Sequence, residues 1–174
     1  MAASVQHDLR SVLNHSMQDI TTRFAGIQLL EQDTSLSNDV CTVHTTWEGG
    51  HRATLVLRAD RSLLTRLAQA IMHAEAVTAQ DIEDVSTEYF NIICGRIAGR
   101  LFQTAHISSR FQIPRFYPGS YLPDEDCGCR CELNYISDQQ ESVQLVFMKP
   151  AASGAAALTP GSSGSACQSL DQGT

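Results

Sequence analysis

The sequence predicts a two-layer α/β sandwich in which long helices pack on one face of a mostly antiparallel sheet. Three long segments carry apolar residues at steps of three and four, which is typical of amphipathic helices. Shorter apolar segments lie between them, and Gly-Gly or Ser-Asp pairs join these into hairpins. The order along the chain is therefore α, β-β, α-α, β, β-β, which favours helices set against an antiparallel sheet.

One domain followed by a tail accounts for the length and composition. The 174 residues are enough for one domain with a sizeable core, and we assign residues 1–150 to it. Residues 151–174 are dominated by Ala, Ser and Gly. Such a segment buries too little apolar surface to offset its ordering entropy, so we predict a flexible tail.

Charge and hydropathy exclude several classes of function. The net charge of −7 argues against a generic nucleic-acid-binding protein. The first ten residues lack the apolar segment of a secretory signal, and no stretch approaches the ~18 apolar residues of a membrane span. We therefore expect a cytoplasmic protein with free thiols and no membrane insertion.

The first half of the chain predicts two helices and one hairpin. Residues 6–31 carry the helical apolar spacing and predict a first helix. Residues 40–60 predict two strands joined at Glu48-Gly49-Gly50, where the glycines supply the positive φ of a tight turn. Residues 61–75 then predict a second, shorter helix.

The longest helix is predicted at about residues 79–103. Thr78, with Asp81 three residues later, resembles a capping box in which Asp replaces the preferred Glu or Gln. After this helix the pattern indicates a strand interrupted by Pro114, and residues 129–149 predict a last hairpin.

A polar stripe follows the longest helix on the side opposite its apolar arc. Asp84, Glu88, Asn91 and Gly95 stand at steps of four, three and four, so their side chains are neighbours on one face. Glu and Asn three apart occur by chance in many helices. Glycine in a helix interior costs ~1 kcal/mol relative to alanine, however, and it usually marks a close approach to the backbone. The stripe therefore suits a partner laid across the helix.

The amide and the carboxylate of this stripe fit one kind of chemistry. An amide can hold a water molecule by donating and accepting hydrogen bonds, and a water placed in line with a phosphorus atom hydrolyses phosphoryl groups. The chain carries no nucleophile elbow, no P-loop and no H-E-x-x-H motif.

A cysteine cluster offers a different site. Cys127, Cys129 and Cys131 are spaced C-x-C-x-C, unlike the usual C-x2-C of zinc sites. In a strand they would share one face, and we expect half-buried thiols rather than a metal site. A metal-dependent or redox protein that uses these cysteines is one functional alternative.

The segment Asp84-VST-Glu88-YF-Asn91-IIC-Gly95 resembles the motif of the CheC/CheX/FliY family of chemotaxis phosphatases, most closely the single-site CheX type. The order of elements resembles this family over roughly residues 5–150, and the specific likeness lies within about 84–102.

The resemblance implies a phosphatase that hydrolyses the phospho-aspartate of a CheY-like response regulator. Asn91 would orient the attacking water, and Glu88 would contact the active-site lysine of the regulator. Asp84, Gly95 and Arg96 would contact the partner. The Mg²⁺ of the reaction belongs to the regulator, so the chain needs no cofactor of its own. CheX members pair through sheet edges, which implies a homodimer.

Departures from the family pattern favour an alternative, a catalytically inactive CheX-like module that binds a receiver domain or a motor-switch protein. Tyr89 and Phe90 are bulkier than the usual residues between Glu and Asn, and Arg96 replaces the usual Asn after the glycine. An acidic protein also needs basic contacts to an acidic receiver, and Arg96 and Arg100 are the candidates.

Overall fold

The computed structural model describes residues 2–49, 52–106, 108–123 and 127–151, and within them it confirms the predicted fold class. Seven antiparallel strands form one sheet, and three helices accompany it. The helices are α1 (Ala2–Ala25), α2 (Arg61–Met72) and α3 (Ala79–Ala105). The strands are β1 (Leu29–Glu31), β2 (Val40–Gly49), β3 (Ala53–Asp60), β4 (Ser109–Phe111), β5 (Arg115–Tyr117), β6 (Cys127–Ser137) and β7 (Ser142–Pro150).

The strand order is β1-β6-β7-β3-β2-β4, and β5 also pairs with β2. Both predicted hairpins are confirmed, as β2–β3 and β6–β7. The predicted interruption at Pro114 is confirmed too, because the chain forms two short strands on either side of residues 112–114. Both short strands pair with β2, so the corner between them lies at one edge of the sheet.

The first helix is shorter than predicted, and a strand follows it. Instead of continuing to residue 31, α1 ends at Ala25. Gly26 adopts φ 67°, and its N–H donates to the Thr22 carbonyl at 2.9 Å, which is how a glycine terminates a helix. Leu29–Glu31 then pairs with β6 as an edge strand. The helical spacing of the apolar residues continued past the glycine and concealed this boundary.

The main core lies between the helices and one face of the sheet. Its largest fully buried side chains include Leu13 from α1, Trp47 and Tyr135 from the sheet, and Phe90 and Ile93 from α3. Because α3 contributes to this core, its other face is left for contact with solvent or a partner. No helix in the described part of the chain is long and apolar enough to cross a membrane.

The predicted tail, residues 151–174, lies outside the described residues except for Ala151. The turn residues Gly50 and His51 lie outside them as well.

Candidate functional site on the third helix

A capping box sets the start of α3, as predicted. The Asp81 N–H donates to the Thr78 hydroxyl oxygen at 3.2 Å, and the Thr78 N–H donates to the Asp81 carboxylate at 2.7 Å. The hydrogen bonds from Thr78 lower the pKa of the Asp81 carboxyl below its usual value. The cap satisfies amides that would otherwise lack partners and fixes where the helix begins.

One face of α3 is anchored in the core. Its fully or nearly buried side chains are Ile82, Ser86, Tyr89, Phe90, Ile93, Cys94 and Ile97. The Tyr89 hydroxyl lies 2.5 Å from the Thr21 hydroxyl of α1, and burial raises the pKa of Tyr89. The bulky pair Tyr89 and Phe90, which departs from the family pattern, therefore packs inward and does not obstruct the polar stripe.

The residues of the predicted stripe lie together on the opposite face of α3. Asp84, Glu88, Gly95 and Arg96 are exposed, and Asn91 is half-buried. Asp84 accepts a hydrogen bond from the Gln80 side chain at 2.8 Å. In the described residues, neither Glu88 nor Asn91 has a side-chain hydrogen bond or an ion pair to the rest of the chain. Both groups are thus available to a partner.

The glycine of the stripe is not required by the chain's own packing. A Cβ built on Gly95 would lie 4.0 Å from the Phe111 ring, an ordinary contact. One turn further, a Cβ on Gly99 would meet nothing within 4 Å. A side chain would therefore fit at either position in the isolated protein.

Arg96 lies at the side of the stripe that faces α1. Its Nη2 atom is 3.4 Å from an Asp19 carboxylate oxygen, and the Arg23 Nε atom is 2.8 Å from the other oxygen of Asp19. Arg96 is exposed but already has an acidic neighbour, which reduces the positive charge it offers to a partner. Arg100, the second basic candidate, is half-buried.

An open groove of about 540 Å³ lies on the other side of the stripe. Its walls are the N-terminal part of α3 and the corner between β4 and β5. The lining residues are Glu83, Asp84, Thr87, Glu88, Pro114, Arg115 and Phe116. The sequence patterns did not predict this groove, because its two walls are about thirty residues apart in the chain and meet only through the pairing of β5 with β2.

In the described part of the cysteine cluster, Gly128 and Arg130 are exposed whereas Cys129 and Cys131 are more buried, which is the alternation predicted for a strand. The register of β6 against β7 shifts between Cys127 and Cys129, and the side chain of Cys127 lies outside the described residues. Cys129 is half-buried, and Cys131 is buried with a pKa raised by burial. Among the described residues no group of three or more His, Cys, Asp or Glu side chains is arranged to hold a metal ion.

Comparison with known proteins identifies a matching family and solved structures with a similar fold. The family model described as "Chemotaxis phosphatase CheX" matches residues 41–131, just over half of the chain. No curated protein sequence matches.

Several solved structures share the fold. A chemotaxis protein CheX from Desulfovibrio desulfuricans has a TM-score of 0.68 at 13% identity, covering 82% of this chain and 99% of that chain. A chain of the CheX–CheY–BeF3–Mg²⁺ complex from Borrelia burgdorferi has a TM-score of 0.69 at 12% identity, covering 81% and 97%. FliY from Thermotoga maritima has a TM-score of 0.60 at 16% identity, covering 82% and 86%.

Proposed function

Because the chain belongs to the chemotaxis phosphatase CheX family, we propose that it hydrolyses the phospho-aspartate of a CheY-like response regulator. The observation that carries the proposal is the exposed face of α3, where Glu88 and Asn91 lie side by side without partners among the described residues. The solved CheX–CheY complex of a structural neighbour supports a receiver domain as the partner.

Each side chain has one role in the proposed reaction. The half-buried amide of Asn91 holds a water molecule in line with the phosphorus atom. The exposed Glu88 pairs with the lysine of the regulator's active site and keeps the two proteins in register. Asp84 and Gly95 form the surface on which the regulator rests, and Arg96 borders it.

The chemistry needs no covalent intermediate on this chain. The water oxygen bonds to phosphorus while the bond from phosphorus to the aspartate oxygen breaks, and the electron pair stays with the aspartate carboxylate. Inorganic phosphate leaves with both hydrogens of the water. The Mg²⁺ that offsets the phosphoryl charge is held by the regulator, so the proposal assigns no cofactor to this chain.

The structure weakens one argument for a non-catalytic module. Tyr89 and Phe90, at 5% and 0% exposure, lie in the core and cannot crowd the regulator. Arg96, at the side of the stripe, is the remaining exposed departure from the family pattern. The proposal also includes a cytoplasmic homodimer paired at a sheet edge, which size measurement in solution would test.

The decisive experiment follows the decay of a phosphorylated CheY-like receiver in Mg²⁺ with wild type, Asn91→Ala and Glu88→Ala. Wild type should accelerate decay. Asn91→Ala should lower kcat about 100-fold, because the water loses its orientation, while binding of a beryllofluoride-activated receiver is retained. Gln103→Ala, an exposed amide further along α3, is the control and should keep full activity.

Two results would redirect the conclusion. Receiver binding without faster decay in the wild type would establish the non-catalytic module instead. Full activity in Asn91→Ala would remove the proposed water-positioning role.

A further inference from the structure

The groove beside Glu88 presents opposite charges on its two walls. The α3 wall carries the carboxylates of Glu83, Asp84 and Glu88, and the corner wall carries the guanidinium of Arg115. Because Glu88 belongs to both the stripe and the groove, a protein docked on the stripe also lies over the groove. A partner that reaches Glu88 is therefore within range of Arg115.

Arg115 is free to contact a partner. It is exposed, and no carboxylate in the described part of the chain lies within ion-pair distance of it. Arg96 differs in this respect because Asp19 already pairs with it. The Arg96 guanidinium, which the sequence assigned to the docking surface, is thus partly compensated by a carboxylate that it shares with Arg23. No carboxylate among the described residues pairs with Arg115 in this way.

The backbone of the corner is held in place. Arg115 pairs with His44 of β2 in the sheet, and Pro114 before it is buried. His44 is half-buried, and its pKa is lowered by burial and, to a lesser extent, by the charge of Arg115. The imidazole is therefore neutral at neutral pH, and the positive charge of this cross-strand pair stays on the guanidinium.

An apolar side chain accompanies this charge. Ile113 is 85% exposed, the largest exposed fraction among the exposed large hydrophobic side chains of the described residues. It lies two residues before Arg115 in the chain, and the half-buried Phe116 that follows Arg115 lines the groove. Arginine is enriched among the contact residues of protein interfaces, whose centres are apolar.

We propose that the corner between β4 and β5 is a second docking contact for the phosphorylated receiver, in which Arg115 pairs with a receiver carboxylate and Ile113 contacts an apolar side chain beside it. This rests on the proposed function. This chain is acidic, with net charge −7, and the phosphorylated aspartate adds negative charge to the pocket of the receiver. Two such surfaces repel unless cations lie between them. Arg115 is a positioning residue and takes no part in the chemical step.

The test compares the full-length wild type with Arg115→Ala, Arg115→Glu and the control Arg110→Ala, an exposed arginine on β4 outside the groove. Two quantities are measured: turnover of the phosphorylated CheY-like receiver, and binding of the same receiver activated with beryllofluoride at low and high salt. Arg115→Ala should raise KM and Kd about fivefold, and the charge reversal more, with kcat within twofold of wild type. The salt dependence of binding should become shallower, and Arg110→Ala should match wild type.

The outcomes separate this inference from the proposed function. Unchanged Kd in Arg115→Glu overturns the docking contact even where turnover is normal. A fall in kcat at unchanged KM overturns it too, because a positioning contact acts on binding. Absence of turnover in wild type refutes only the phosphatase, since loss of binding in Arg115→Glu would still establish the contact.

Discussion

Replacing Gly95 with alanine should stabilise the free protein and at the same time slow the proposed reaction. Gly95 is exposed in the interior of α3, and the added methyl carbon would lie at ordinary contact distance, 4.0 Å, from the Phe111 ring. The substitution thus has no steric cost, and alanine is favoured over glycine in a helix by about 1 kcal/mol. For a domain of this size that corresponds to a rise in Tm of about 3 °C.

The same methyl group should disfavour docking of the regulator. A regulator that brings its phosphoryl group to Asn91 passes over Gly95, one turn along the same face of the helix. Forcing one methyl group into a closely packed contact costs about 1–3 kcal/mol. If this cost falls on the docked complex, kcat/KM drops about 5- to 150-fold.

Gly99 provides a matched control. It lies one turn further along the helix and a Cβ there meets nothing within 4 Å, so Gly99→Ala should gain the same stability. Its activity should equal that of wild type, because the proposed docking surface is centred on Glu88 and Asn91.

Urea unfolding and receiver decay, measured on both variants, test the expected effects on stability and on activity. A Gly95→Ala protein that is more stable and fully active would refute the idea that the regulator approaches α3 at this point. A Gly95→Ala protein less stable than wild type would refute the packing argument itself.

The remaining predictions concern the fold that holds the site. Thr78→Ala removes the capping box of α3 and should lower the free energy of unfolding in urea by about 1 kcal/mol. Arg66→Ala leaves the buried Glu141 carboxylate without its guanidinium partner, at present 2.6 Å away, and should cost about 2 kcal/mol. Burial raises the pKa of Cys94 and Tyr89 in the folded state, so the unfolded chain loses these protons first as pH rises. The Tm should therefore fall above about pH 9 and not between pH 6 and 8.

Each of these three predictions has a control. Thr78→Ser keeps the hydroxyl and should remain near wild type, whereas equal losses in both variants would contradict the cap. Arg61→Ala breaks an exposed pair with Asp39 and should cost less than Arg66→Ala. A Cys94→Ala, Tyr89→Phe double variant should have a flatter alkaline limb, and an unchanged limb would assign the loss to other groups.

Local sequence patterns were sufficient to predict most of the helices and strands and the polar face of α3. The capping box depends on two residues three apart, and the separation of the stripe from the buried face depends only on helical periodicity. The hairpin at Gly49 and the break at Pro114 were likewise predicted from residues at those positions. These features follow from interactions between residues close in the chain, which a single sequence displays directly.

Tertiary structure decided what those elements contact. Whether the residues after Gly26 continue a helix or pair with β6 depends on an open sheet edge formed by residues more than one hundred positions away. Asp19 and Arg96 are 77 residues apart, so their ion pair could not be inferred from either segment alone. The groove beside Glu88 arises only where the β4–β5 corner is pinned to β2. The sequence by itself therefore determined which residues α3 presents, and the packing of distant segments determined which charges stand beside them.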